Sequence, residues 1–203
     1  RKAKYKLRQA ATCVLREIKL SITAEMKKSG IIAAVKDEES FSVALSSNAG
    51  VIFLLKSDLL SAEETVRRAH ASGKKILLHV DLMEGIGKDE AAVKFIAEKI
   101  RPDGIITTRP NIVKCAKSKG LYTVFRVFLI DTQGLNSAIA NADKLSPDAV
   151  ELMPGLVPEL IEKFLRENRA VIIGGLISRK EQAEKGIKAG AVAASTGQIE
   201  LWG

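Results

Sequence analysis

The sequence predicts an α/β fold, a compact (β/α)8 barrel of the TIM type, on three observations. Eight short apolar runs recur at fairly even intervals from residue 31 to residue 196. The runs are near-continuous rather than alternating, which suits parallel strands buried on both faces. Segments of helical character separate them, and the loops are short. Eight regular units without a change of pattern favour a closed barrel over an open doubly wound sheet.

The runs, in order, are IIAAV (31–35), VIFLL (51–55), KILLHVD (75–81), GIITT (104–108), TVFRVFLI (123–130), AVELM (149–153), AVIIGG (170–175) and AVAAST (191–196). Between the second and third, Ser61 followed by Glu64 reads as a capping box opening a helix that ends near Gly73. Residues Asp89 to Lys99 place Ala92, Val93, Phe95, Ile96 and, just beyond, Ile100 largely on one side of a helix. Pro110 and Pro158 stand where a first helical turn is expected, a position that tolerates proline. Gly73, Gly120 and Gly190 stand where helices end before a strand. No linker divides residues 26–203, which read as one barrel domain.

Residues 1–25 read as a basic, helical N-terminal extension. They carry seven Lys/Arg and two acids, a net charge of +5 out of +8 for the whole chain of 203 residues. The excess is therefore concentrated at the start, and the barrel itself is close to neutral. Ala11, Val14, Leu15, Ile18 and Ile22 form one helical stripe, as expected of a helix that lids the bottom of the barrel. A basic arm for RNA or another anionic surface is the rival reading. A start at Met26, directly before the first strand, is a further expectation, with residues 1–25 then lying upstream of the native chain.

Several function classes find no support. Cys13 and Cys115 lack CxxC spacing and a neighbouring histidine, and His70 and His79 complete no metal pattern with them, so no metal and no cofactor are expected. The thiols read as free ones in a reducing cytoplasm. No apolar run approaches the roughly 18 residues of a spanning helix, so no membrane is expected. No Ser–His–Asp or Cys–His constellation stands out, and EGIGKDE (84–90) lacks Walker spacing.

In such a barrel the functional face lies at the C-terminal ends of the strands. That rule selects Lys36 and Asp37 after the first strand, and His79 and Asp81 with the third. It adds Thr107, Thr108 and Arg109 after the fourth, Arg126 within the fifth and Glu151 in the sixth. Gly174-Gly175 ends the seventh run, and Ser195, Thr196 and Gly197 end the eighth. The last two loops commonly form a phosphate site, with backbone N–H groups close to the anion, hydroxyl donors, and a short helix near Gln198 aimed at it. His79, Arg126 and Glu151 interrupt runs that should be buried. A salt bridge of Arg126 with Glu151 and contacts to a ligand's polar end are compatible readings. His79 and Asp81, two apart, share one side if the strand stays regular, and then form a candidate acid/base pair.

Four blocks carry a family likeness: HVDLMEGIGKDE (79–90), PDGIITTRPNIVKCAKSKG (102–120), VELMPGLVP (150–158) and GGLISRKEQAEKGIKAGAVAASTGQIELW (174–202). Together, over residues 31–202, the chain resembles the glycerol uptake operon antiterminators. The resemblance implies a barrel without established enzyme activity that binds glycerol 3-phosphate and acts on leader mRNA to prevent transcription termination. It places phosphate contacts at Gly174, Gly175, Ser195 and Thr196, and a ligand mouth around His79, Asp81, Arg109 and Glu151. Two departures from the family pattern are Lys36, where arginine is expected, and Gly197, where a hydroxyl residue is expected. Candidate RNA contacts are Lys114, Lys117 and Lys119, or the basic N-terminus. With Phe, Tyr and Trp at only 4%, a base-stacking platform is not expected. A homo-oligomer is left open. The alternative function is an isomerase or lyase on a small phosphorylated substrate, with His79, Asp81 and Glu151 as acid/base groups, since the fold alone does not choose.

Overall fold

The computed structural model describes the chain from residue 2 to residue 203, with side chains from Cys13 onward. Eight parallel strands close into a barrel: β1 (Ile31–Val35), β2 (Val51–Leu54), β3 (Lys75–His79), β4 (Gly104–Thr107), β5 (Tyr122–Phe128), β6 (Ala149–Met153), β7 (Ala170–Gly174) and β8 (Ala193–Thr196). Each pairs with its neighbours in sequence, and β8 closes on β1 through Ile31 opposite Ala194. All eight apolar runs are strands, so the closed architecture holds and the open sheet does not.

Helices follow the strands: α1 (Lys2–Ser29) before β1, then α2 (Glu38–Ser46), α3 (Ala62–Ala71), α4 (Glu90–Phe95), α5 (Pro110–Ser118), α6 (Thr132–Leu145) and α7 (Lys180–Lys188). α4 continues as a π turn over Ile96–Ile100, so the helix expected from Asp89 onward is real but not uniformly α. Pro158 opens a 3-10 helix (Pro158–Phe164) rather than an α-helix. The Ser61 capping box does not form. Asp58 takes that role, with Oδ1 accepting from the Leu60 and Ser61 N–H groups and Oδ2 from the Ser61 hydroxyl.

Alternate strand residues face the barrel interior and the helix layer. Ile52, Leu78, Ile105, Val150 and Ile173 pack outward under the helices. Ile32, Phe53, Leu77, Ile106, Val124, Ala149, Ile172 and Ala193 fill the interior. The floor of that interior comes from α1: Ile22 and Met26 are fully buried in the same cluster. Two polar contacts hold the helix there. Lys19 pairs with Asp148 at 2.8 Å, and the Thr23 hydroxyl lies 2.9 Å from the Tyr122 hydroxyl.

The expected N-terminal lid is therefore present, but only part of the expected stripe is used. Val14, Leu15, Ile18 and Leu20 stay 41–60% exposed. α1 spans 28 residues, about 42 Å at helical rise, longer than the barrel floor needs. It runs unbroken through Met26, across the boundary expected between residues 25 and 26. Ala11, the first residue of the stripe, lies where the helix backbone alone is described.

Met26→Ala removes a fully buried side chain from the floor and should cost about 2–5 kcal/mol. Leu20→Ala on the exposed side of the same helix should change stability by less than about 0.5 kcal/mol. Urea unfolding of both variants checks the contrast.

Candidate functional site

The interior changes character one layer from the top. Above Phe53, Leu77 and Val124 the inward positions are His79, Arg126, Glu151, Gly174 and Ser195, drawn from β3, β5, β6, β7 and β8. The four side chains are buried, Glu151 completely. A lone carboxylate there would cost several kcal/mol. Glu151 is instead held twice: Arg126 Nε donates to its Oε2 at 2.6 Å, and the Ser195 hydroxyl donates to its Oε1 at 2.5 Å. The ion pair spans adjacent strands because Arg126 and Glu151 are in register.

Gly174 is the residue that makes room. A Cβ there would stand 2.5 Å from both Glu151 Oε1 and Ser195 Oγ, so any side chain would break into the hydrogen bond between them. Gly175 and Leu176 then turn the chain with φ of +69° and +60°. A leucine in the left-handed region costs roughly 1–2 kcal/mol. Such strain collects at functional loops. The loop after β6 is stitched to this turn by the Gly155 N–H, which donates to the Gly174 carbonyl at 2.6 Å.

His79 lies in the same layer, 4% exposed, and its Nδ1 has no hydrogen-bond partner. Burial, aided by the positive charge of Arg126, lowers its pKa to about 4, against the smaller opposing pull of Asp81 and Glu151. The imidazole is therefore neutral near pH 7, with one buried ring nitrogen unbonded within the polar layer.

The expected His79–Asp81 acid/base pair does not form. β3 ends at His79, and Val80–Leu82 make a 3-10 turn that breaks the alternation. Asp81 faces the end of β4 instead. It accepts from the Thr107 hydroxyl at 2.8 Å and from the Thr108 N–H and hydroxyl at 2.7 and 2.9 Å, with Arg109 Nε at 3.4 Å. Burial pushes its carboxyl up, but these hydrogen bonds outweigh it and hold the pKa below the usual value. Lys88, in the loop that follows, donates to the Val80 and Met83 carbonyls and so ties that loop down.

Around the rim, Lys36 is exposed at the end of β1, where it lines a cavity of about 300 Å³ with Lys56, Asp58 and Glu84. Asp37 caps α2 through the Ser40 N–H. After β8 the expected hydroxyl donors are already engaged. Ser195 serves Glu151, and Thr196 Oγ1 donates to the Ile177 carbonyl while accepting from the Gln198 N–H. The helix expected near Gln198 is a single 3-10 turn, Ile199–Leu201, too short to act as a dipole. Gly197 is exposed. Trp202 escaped the sequence reading: its indole N–H donates to the Thr196 carbonyl at 2.9 Å and fixes the β8 loop. Its being the chain's single tryptophan was the available signal.

These features define a (β/α)8 barrel whose candidate functional face is the C-terminal mouth, with a buried polar layer beneath two glycine-bearing loops. Comparison with known proteins narrows the class. Residues 31–202 match the family described as glycerol-3-phosphate responsive antiterminator, and the chain belongs to that family of regulators. A glycerol uptake operon antiterminator regulatory protein from Listeria monocytogenes is 36% identical with a TM-score of 0.81, covering 85% of this chain and 94% of that one. An antiterminator-related protein from Thermotoga maritima is 34% identical with a TM-score of 0.77, covering 85% and 96%. An uncharacterized Escherichia coli K12 protein, YgcP, is 30% identical over 178 residues, 87% of this chain and 93% of its own. No helix among the described residues is long and apolar enough to cross a membrane.

A pH prediction follows from His79. Its folded pKa lies below the unfolded value near 6.5, so the unfolded chain takes up the proton first as pH falls. The stabilisation from a neutral His79 is full above pH 6.5 and declines toward pH 4, by about 3 kcal/mol. In His79→Gln, unfolding free energy measured across that window should fall less steeply than in the wild type.

Proposed function

We propose that this protein is a transcription regulator gated by glycerol 3-phosphate, which binds at the barrel mouth and changes affinity for a leader mRNA. The observation that carries the reading is the polar layer at the top of the barrel. It offers a carboxylate, a guanidinium and an unbonded imidazole nitrogen in one layer beneath the mouth, with Glu151 beside the ends of β7 and β8. A polyol needs acceptors and donors at its hydroxyl end, and Glu151, Arg126 and His79 supply them. A phosphate needs close backbone approach, and Gly174, Gly175 and Gly197 supply it. Because the Ser195 and Thr196 hydroxyls are engaged internally, the phosphate is held by backbone N–H groups rather than by those side chains. Lys36 and Arg109 stand at the rim as the outer cations.

Gating requires that the ligand bind one conformation or assembly better than another. The loops move most freely, and the close-packed polar layer beneath them passes on small displacements rather than absorbing them.

The isomerase or lyase reading draws on one observation, the neutral imidazole of His79 with an unbonded nitrogen, which can hydrogen-bond a reacting hydroxyl. Turnover of a phosphosugar, abolished in His79→Ala with binding retained, would be its sign.

Calorimetric titration separates the readings. Glycerol 3-phosphate should bind saturably, while glycerol or inorganic phosphate at equal concentration should not. Gly174→Ala, whose methyl group collides with Glu151 and Ser195, should lose at least about tenfold in affinity, or 1.4 kcal/mol. Absence of any glycerol 3-phosphate binding to the wild type overturns the sensor reading.

A further inference from the structure

A large cavity lies far from the mouth, on the underside of the barrel. A groove of about 890 Å³ runs between α1 and the turn at Arg166–Arg169, with Tyr122, Asp148 and Ala170 at its base. Its walls mix apolar and basic groups. Leu15, Leu20, Leu165 and Ile187 are each 38–60% exposed. Arg16, Lys19, Lys27, Lys117, Arg166 and Arg169 line it against only Asp148 and Glu167.

Some of these charges are spent internally. Lys19 pairs with Asp148, and Arg166 and Arg169 both pair with Asp143 beside the groove. Lys117 donates to the Leu145 and Ser146 carbonyls at the end of α6, which are neutral groups. Among the described residues, Arg16, Lys27 and Lys117 have no carboxylate within salt-bridge distance. The groove therefore keeps a positive excess after every ion pair is counted. Lys2, Lys4, Lys6 and Arg8 are four further basic residues earlier in the α1 sequence.

That charge selects the occupant. A second copy of this chain would bring another strongly basic α1 to the same place, and like charges oppose that assembly. A flexible polyanion fits: an 890 Å³ trough open along one helix accepts several nucleotides, with phosphates on the basic wall and base faces on the exposed aliphatic side chains.

We infer that this underside groove, formed by α1 and the Arg166–Arg169 turn, is the surface that binds single-stranded RNA, at the opposite end of the barrel from the ligand mouth. The inference rests on the regulator reading above and assigns its RNA surface: of the two candidates in the sequence it takes up the basic N-terminal helix, joined by Lys117 of the Lys114, Lys117 and Lys119 set. The binding is backbone-dominated, since the groove presents no exposed aromatic ring among the described residues. The two sites are connected through the barrel interior: Ile22 and Met26 of α1 pack against Ile32, Phe53, Leu77 and Ile172, in the layers directly below His79, Arg126 and Glu151. A shift in the upper layer can therefore reach α1 through packed side chains.

The test uses fluorescence anisotropy of a labelled 30-nucleotide single-stranded RNA of mixed sequence, across a salt series, with the full chain. Arg16→Glu/Lys27→Glu should weaken binding at least tenfold and reduce the salt slope by about 1.4, at about 0.7 per lost phosphate contact. The milder Arg16→Gln/Lys27→Gln should fall between, and Lys94→Glu on α4 should match the wild type. Calorimetric binding of glycerol 3-phosphate should be unchanged in all of them, which also shows that they fold. If the wild type binds the RNA and the groove variants keep its affinity and slope, the surface is wrong and the regulator reading stands. Loss in Lys94→Glu equal to that in the groove variants means diffuse charge attraction and also overturns the surface. If the wild type binds no RNA at 50 mM salt, the RNA half of the regulator reading falls together with its surface.

Discussion

The top of this barrel is organised by a carboxylate that cannot stand alone. Glu151 is completely buried, and water cannot solvate it. Desolvation of that size is offset only by a paired charge and well-aimed hydrogen bonds. Arg126 supplies the charge from the next strand in register, and Ser195 supplies the hydrogen bond from two strands away. The requirement propagates. β7 must present glycine between Glu151 and Ser195, and the guanidinium helps keep His79 neutral. The polar layer is thus one mutually dependent unit rather than four separate residues.

The two ends of the interior divide the work. The floor is apolar and is sealed by Ile22 and Met26 of a helix that precedes the barrel. The upper layer is polar and open only to the loops. Between them, inward residues stack without a break from α1 to the mouth. A close-packed column of this kind transmits displacement rather than absorbing it. In the proposed regulator, that packing is the physical basis on which a small molecule at one end would influence a surface at the other.

Much of this was legible in the sequence, for identifiable reasons. Parallel strands buried on both faces leave continuous apolar runs, so all eight strands and the closure were readable. His79, Arg126 and Glu151 were readable as polar interruptions of those runs. What failed depended on local competition. Ser61 was outcompeted by Asp58, whose carboxylate accepts three hydrogen bonds that no spacing rule encodes. The pairing of His79 with Asp81 assumed that β3 continues, whereas it ends one residue too soon for the alternation to hold. Ser195 and Thr196 have the right chemistry for an anion, but their hydroxyls face Glu151 and Ile177. The apolar stripe of α1 showed that one side packs, not how far along the helix the barrel reaches.

Nitrogen-15 NMR of the two histidines tests the central claim most directly. His70 bonds to Asp103 through Nε2 far from the mouth and serves as an internal reference. Saturation with glycerol 3-phosphate should move the His79 ring nitrogens as Nδ1 gains a partner, while His70 stays fixed and glycerol alone moves neither. Saturable binding with the His79 resonances unmoved would place the ligand elsewhere and contradict the account of the polar layer as its site.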